Sequence, residues 1–509
     1  MFKKKNYLII LTLFFVFIFK IIYFNYSVVA IDDVSYTSLS SNLFKSFKYT
    51  VDGITNHTQF PPGYPIIIGL EKFVLIQWNN VFLFNYLIIG TFNALIIFYI
   101  FKKNFNKFYS NLFFPFCFLF PTFITSRLTL DSSTEYIFSF FIWLGIFFFF
   151  ESLLKKNNIK FLLISNILFS ISYILREEGL VIFLCFIFIN LLILRKTFFK
   201  FKIFLIYFFP ILLFIFPYII YLYLNLGFFT LSGKESALFA ENISRIENPD
   251  LWPETASIFN FNFVNSDFIN LTFNKINYLI DLLISPNFIN PIMYVGIILL
   301  FIQIILKKIL IRDLNKLLFF IFPTLILLFL LTFRYYPVAR AIYVFLPVFV
   351  ISSFIGLNQF LFFYIKKGFH KYIYFFIFVF FIISIIFPLN MEVNISNPIL
   401  YVKSMKLIEK DIKKGECVFA RDNDILEYYF PNIRIIKQLN SNNNDIIIKD
   451  CIPKYLLLSN IEHVSLPNMT KFESENMNFQ NIYINNNNYI YVGELTRKKY
   501  KVNTYKIKN

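Results

Sequence analysis

Charge, histidine and cysteine are all scarce in this chain, and each shortage excludes a class of function. Only 15% of the 509 residues are charged, where an ordinary soluble domain carries about a quarter. Three histidines, with no HExxH and no CxxC pattern, give no basis for a zinc centre. The four cysteines divide in two. Cys117 and Cys185 fall inside apolar runs and read as small packing residues, whereas Cys417 and Cys451 fall in a polar tail where a disulfide is chemically permitted. A phosphate-cradling glycine loop of the P-loop or dinucleotide kind is missing, which argues against an ATP-driven machine. No internal repeat marks the paired halves of a secondary transporter.

Hydrophobic length is what the chain has instead. Hydrophobic residues make up 58% of it, 75 of them Phe, and they come in runs of about 17 to 25, the length that crosses a bilayer. The fold class is therefore a polytopic α-helical membrane protein. The excess of Phe, Ile, Asn and Lys reflects an AT-rich genome, so the net charge of +18 is not read as a nucleic-acid footprint. Most of that charge sits in every second gap between hydrophobic runs: MFKKK at the start, then 102–107, 155–160, 195–202, 307–316 and 366–371. By the positive-inside rule these gaps are cytoplasmic. Spans are expected at 7–29, 82–101, 108–126, 134–154, 161–175, 179–194, 203–224, 289–306, 317–333, 341–364 and 372–389. Eleven crossings, with the first kept as an uncleaved anchor, put the N-terminus inside and the C-terminus outside. Segments 161–175 and 179–194 meet at LREEGL, as a tight external hairpin or a differently divided pair, and 66–77 is too short to cross and reads as interfacial.

The remaining polar chemistry falls in the external gaps. The membrane region, 1–389, has a first external loop at 30–65 and a large one at 225–288. Residues 390–509 change character, with β-prone runs at 416–420, 433–437, 445–451, 454–459 and 487–495 and a helix over 423–430, and they predict a small external α/β domain. The acids Asp32, Asp33, Asp131, Glu135 and Glu178 and the bases Arg176, Arg334 and Arg340 all map to that one face. Acids there can activate a hydroxyl, and arginines can hold a departing phosphate. Each residue has a plainer reading too. Asp32 or Asp33 can begin the next helix as an N-cap. Arg176 and Glu178 can be an ion pair that closes a hairpin. Arg334 and Arg340 can snorkel to headgroups. His57 can be a loop residue or approach the acceptor, and Tyr36 and Tyr64 are expected in the aromatic belt whatever the function.

The order of these stretches resembles a known family. IDDVSYTSLSSNLFKS (31–46) resembles the first external loop of GT-C glycosyltransferases of the protein O-mannosyltransferase and lipid A aminoarabinose transferase type, with Asp33 where the family has Glu. QFPPGYPIIIGL (59–70) is similar to the Pro-Pro-x-Tyr-Pro element that returns that loop to the membrane. SRLTLDSSTEYIF (126–138) resembles the family's second external acid, Glu135 by spacing with Asp131 as competitor. LREEGLVIF (175–183) resembles its Arg-x-Glu-Gly-Leu hairpin, and RYYPVARAIYVFLPVFV (334–350) its late arginine element.

The resemblance implies a GT-C fold and inverting transfer of a sugar from a polyprenyl-phosphate donor to an acceptor glycan, lipid or protein. It places the reaction at the outer face of the membrane, which the AT-rich composition and compact loops read as a bacterial inner membrane, with the C-terminal domain periplasmic. Asp32 would be the general base, Asp33 its orienting partner, and Glu135 or Asp131 a ligand for hydroxyls. Arg334 and Arg340, with Lys234, would neutralise the lipid phosphate. Tyr64, His57, Arg176 and Glu178 complete the expected substrate contacts. No cofactor is required: a divalent ion could share the phosphate charge, but the Asp-x-Asp pattern of oligosaccharyltransferase relatives does not appear in a first loop whose two Asp are adjacent. The rival classes are a lipid-linked oligosaccharide polymerase or ligase, which wants late external Arg and His where 225–288 holds only Arg245, and a transporter or flippase, which wants ionisable residues at mid-span depth.

Overall fold

A computed structural model describes residues 29, 31–51, 53–104, 133–154, 158–193, 201–233, 291–306, 311–333, 343–364, 397–413, 415–420, 423–436, 453–459, 489–497 and 500–507, with a few isolated positions besides. The chain divides into two compact units. One comprises residues 1–22, 36–125 and 132–391, the other 23–35, 126–131 and 392–509.

Among the described residues, the regular secondary structure of the first unit is all helical. Helix α1 runs Ile31–Ser46, with its first turn counted in the second unit, and α2 is Gly63–Leu75. Helix α3 covers Trp78–Asn104 with a π-helical turn at Asn85–Ile89. Then follow α4 (Ser133–Leu154), α5 (Ile159–Leu175) and α6 (Glu178–Ile193). Helix α7 joins Phe201–Pro210 to Phe216–Leu226 through a second π-helical turn, Ile211–Ile215. The imino ring of Pro210 cannot continue the ordinary ladder, and a widened turn takes up the mismatch. The last three are α8 (Pro291–Ile305), α9 (Ile311–Phe333) and α10 (Leu346–Tyr364).

Eight of the eleven expected spans thus coincide with helices. Trp78–Asn104, Thr134–Leu153 and Phe204–Leu226 are long and apolar enough to cross a membrane, and Ile159–Leu175, Glu178–Leu192, Tyr294–Ile305, Leu317–Leu328 and Leu346–Leu361 are shorter apolar helices. The expected spans 7–29, 108–126 and 372–389 lie almost entirely outside the described residues. The 161–175 and 179–194 segments do form a hairpin, closed by Arg176 and Glu177.

Apolar side chains alone do not specify how helices dock when their surroundings are equally apolar, so close backbones and polar cross-links carry that information. Helices α8 and α10 meet at glycine: a Cβ on Gly356 would stand 2.0 Å from the Gly296 carbonyl oxygen, and one on Gly296 would stand 2.1 Å from Ser353 Oγ. Gln303 Nε2 donates to the Gly356 carbonyl at 3.0 Å beside this crossing. Asn93 Nδ2 donates to Ser139 Oγ at 2.8 Å between α3 and α4, and Trp143 Nε1 to the Val344 carbonyl at 2.8 Å. The ion pair Lys103–Glu151 ties α3 to α4 at their ends. Trp143 is the bulkiest of the fully buried residues in the aromatic core, against Phe101, Phe320 and Phe345.

The second unit holds α11 (Asn397–Ile408), α12 (Asn423–Tyr429) and a five-stranded sheet of β1 (Cys417–Ala420), β2 (Arg434–Ile436), β3 (Tyr455–Ser459), β4 (Tyr489–Arg497) and β5 (Tyr500–Ile507). The strand order is β2-β1-β3-β5-β4. Strands β1 and β2 are parallel, as a crossover through α12 requires, and β4 and β5 form an antiparallel hairpin. Cys417 is disulfide-bonded; its expected partner Cys451 lies outside the described residues, as does the β-prone run 445–451.

Candidate active site

The acid pair opens α1. The helix begins at Ile31, so Asp32 and Asp33 sit within its first turn rather than ahead of it as an N-cap, where their charge complements the exposed amide dipoles. Their surroundings differ: Asp32 is half-buried, and Asp33 is 2% exposed. The neighbours of Asp33 come from the far end of the sequence. The Tyr429 hydroxyl accepts the Val29 amide proton at 3.0 Å, just before the helix. Tyr428 and Tyr429, edge to face at 5.2 Å, both lie in the field of the Asp33 carboxylate. Burial first, and the nearby Asp33 charge with it, pushes both phenols above their ordinary range. They stay protonated and able to donate. All of these groups belong to the second unit.

A second carboxylate cluster forms in the first unit, at the α5–α6 hairpin. Arg176 forks onto Glu178, Nε to Oε2 at 3.3 Å and Nη2 to Oε1 at 3.2 Å, and its Nη1 donates to Glu135 Oε1 from the first turns of α4. Its guanidinium stands 5.8 Å from the Phe138 ring centroid. All three side chains are largely buried, Glu178 at 2% exposure. Gly179 makes the turn possible: a Cβ there would be 2.4 Å from the Ser172 carbonyl carbon and the Tyr173 amide nitrogen. Two carboxylates share one guanidinium, so the trio carries an excess of negative charge. That balance suits hydroxyl groups better than phosphate.

Glu177, between the two named residues, is the one sequence reasoning passed over. It is buried, and Ser232 Oγ donates to its Oε1 at 2.6 Å. Tyr173 donates to the Leu231 carbonyl at 2.7 Å, so the stretch 230–233 is fastened to the hairpin twice. The signal was present in LREEGL, but a turn has no periodicity to say which of two adjacent glutamates faces inward.

The first loop is organised around aromatic rings. Tyr64 is wholly buried, edge to face with Tyr36 at 4.7 Å, and packs in the core instead of facing an interface. His57 stacks on Phe60 at 5.0 Å and accepts the Phe60 amide proton at 3.2 Å, while its own carbonyl accepts from the Tyr221 hydroxyl at 2.9 Å. It is a loop-closing residue in this geometry. Asp131, Lys234, Arg334 and Arg340 lie outside the described residues. Among the described residues, no three of His, Cys, Asp or Glu gather as a metal site.

No protein-family profile matches the chain, and no curated protein matches it. Solved structures do. The apo oligosaccharyltransferase of Archaeoglobus fulgidus superposes with a TM-score of 0.53 at 12% identity, over 91% of this chain and 70% of that one. ArnT of Cupriavidus metallidurans, solved with undecaprenyl phosphate bound, matches at 0.49 and 9% identity over 98% of each chain. At such identity the archaeal likeness shows the fold alone: a polytopic membrane fold shared with that oligosaccharyltransferase.

Proposed function

We propose that this protein is a membrane glycosyltransferase that moves a sugar from a polyprenyl-phosphate donor to an acceptor hydroxyl, with inversion, at the external face of a bacterial inner membrane. In this reading eleven spans carry the catalytic region, and the domain from 390 onward lies in the periplasm. The observation that carries it is the pair of first-loop carboxylates in the opening turn of α1, one of them buried, in a chain whose fold is shared with an oligosaccharyltransferase.

Asp32, the more accessible acid, takes the acceptor proton as the oxygen attacks the anomeric carbon, and the bond to the lipid phosphate breaks. Asp33, held among the tyrosines, orients it. Glu135, aligned by Arg176, binds sugar or acceptor hydroxyls, and Arg334 and Arg340, with Lys234, neutralise the departing phosphate. The acceptor is a glycan, lipid or protein hydroxyl.

The test is transfer of radiolabelled sugar from polyprenyl-phosphate donors to membrane acceptors, in cells making wild type, Asp32→Asn or Asp33→Asn at matched levels. Asp32→Asn should lose about 10²- to 10⁴-fold in rate, the range a general base supplies. Full transfer by folded Asp32→Asn would remove the base from the scheme.

A further inference from the structure

Two helix ends in the first loop are built against the ordinary rule. A helix commonly terminates in a left-handed residue, and glycine takes that place because it has no Cβ to clash. Helix α1 ends into Phe47 at φ 56°, and α2 ends into Ile76 at φ 64°. Among the described residues these are the only two non-glycine positions with positive φ. Bulky and β-branched residues rarely accept that conformation. Neither side chain is buried to compensate: Phe47 is 90% exposed and Ile76 76%. Phe73 and Val74, on the last turn of α2, are similarly exposed. Helix α2 has 13 residues, too few to cross a bilayer, so these are not the lipid-facing residues of a span.

Basic residues ring the same apolar tip. Phe44 and Phe73 meet edge to face at 5.4 Å, which brings their chain neighbours Lys45 and Lys72 to one place. Lys72 Nζ lies 4.4 Å from the Trp78 ring centroid, and its pKa is lowered by burial first and by the Lys45 charge second. Two ammonium groups are thus held within each other's field, with Lys48 exposed nearby in sequence. Among the described residues none of the three is ion-paired. The adjacent carboxylate, Glu71, instead accepts from Asn85 Nδ2 at 2.8 Å. An anion between Lys45 and Lys72 would relieve their repulsion, and Trp78 is the kind of ring that settles at headgroup depth.

We propose that the joined ends of α1 and α2 form a membrane anchor, wedging Phe47, Phe73, Val74 and Ile76 among acyl chains and clasping one anionic glycerophospholipid headgroup between Lys45 and Lys72. The strained apolar ends then have a purpose: they are stable where lipid surrounds them. Neither lysine is among the residues assigned to the donor phosphate, and the proposal stands whether or not the glycosyltransferase reading does.

The experiment uses the full chain in phosphatidylcholine vesicles containing either brominated phosphatidylcholine or brominated phosphatidylglycerol. Trp78 fluorescence is taken as the difference between the protein and its Trp78→Phe variant. Brominated phosphatidylglycerol should quench Trp78 at a concentration lower on the order of fivefold, the factor one cationic side chain supplies at an anionic surface. Lys45→Gln/Lys72→Gln should quench equally with both lipids. Phe47→Gly/Ile76→Gly, whose backbone suits glycine and which should therefore fold, should need more of either lipid for the same quenching, because Trp78 is then held at the membrane by the end of α3 alone. Equal quenching by the two lipids in the unaltered protein would overturn the clasp, and unchanged quenching in the double glycine variant would overturn the wedge. If unlabelled polyprenyl phosphate restores the fluorescence and unlabelled phosphatidylglycerol does not, the pair belongs to the donor and the proposal fails.

Discussion

Two groups of buried carboxylates in this protein are held by opposite chemistry. At the opening of α1, Asp33 is set against the phenols of Tyr428 and Tyr429, whereas at the α5–α6 hairpin Glu135 and Glu178 are set against the guanidinium of Arg176. A phenol lends a proton to a hydrogen bond and no charge. A guanidinium lends both, in a fixed planar fork. The first arrangement adds no second charge beside the carboxylate, and the second fixes its carboxylates in place, Glu135 toward a bound hydroxyl and Glu178 within the hairpin. Removing a partner should therefore damage activity more than stability at the first place, and stability together with activity at the second.

The largest effect is expected from Arg176→Met. It strands Glu135 and Glu178 as buried charges with their shared cation gone, which costs about 3–5 kcal/mol. Thermal unfolding in detergent should show the loss, and adding Glu135→Gln and Glu178→Gln should recover much of it. An unchanged unfolding temperature in the single variant would mean that water reaches the hairpin.

Ser232→Ala comes next. It removes the donor that meets the buried Glu177 carboxylate, and a hydrogen bond to a charged group contributes about 1.5–3 kcal/mol. Because Ser232 and the Tyr173–Leu231 bond fasten residues 230–233 to the hairpin, limited proteolysis after position 233 should quicken as stability falls.

Tyr429→Phe sharpens the contrast from the other side. The lost hydrogen bond to the Val29 amide is worth about 1 kcal/mol, so the protein should stay folded. Transfer, however, should fall more steeply than stability, and its pH profile should move, because a phenol within the field of Asp33 is gone. A fall in stability with an unmoved pH profile would make Tyr429 a structural cap.

These contrasts show what sequence could and could not deliver. Eight helices were legible because a span announces itself by length and apolarity, both properties of a local window. The strands β1 to β4 were legible as short β-prone runs. Strand β5 was not: YKVNTYKI alternates lysine with aromatic and β-branched residues, and its place is fixed by pairing with β3 and β4. Helix α11 was missed because nothing periodic in NPILYVKSMKLI separates it from a loop of the same composition. At the site, Asp32, Asp33, Glu135 and Glu178 were found because acids are rare in a greasy chain, yet a partner was found only where the two were neighbours in sequence. Arg176 and Glu178 are two residues apart. Tyr429 lies 400 residues from the amide it caps, and no local pattern links Asp33 to it.

Glu71 supplies the reference point for the comparison, a carboxylate given neither phenol nor guanidinium. Its hydrogen-bond partner among the described residues is the amide of Asn85, itself buried at the start of the π-helical turn in α3. One neutral donor does not offset desolvation, and burial pushes its pKa up to about 7, against an ordinary value of 4.5. The folded state therefore binds the proton more tightly than the unfolded chain does. Its contribution to stability is fully present below pH 4.5 and is lost as pH rises through about 7. Unfolding temperatures measured across that window should fall for the wild type and flatten for Glu71→Gln, which keeps the hydrogen bond without the charge. If the two slopes match, a cation near Glu71 holds it ionised, and it joins the hairpin glutamates as a carboxylate held by a positive charge.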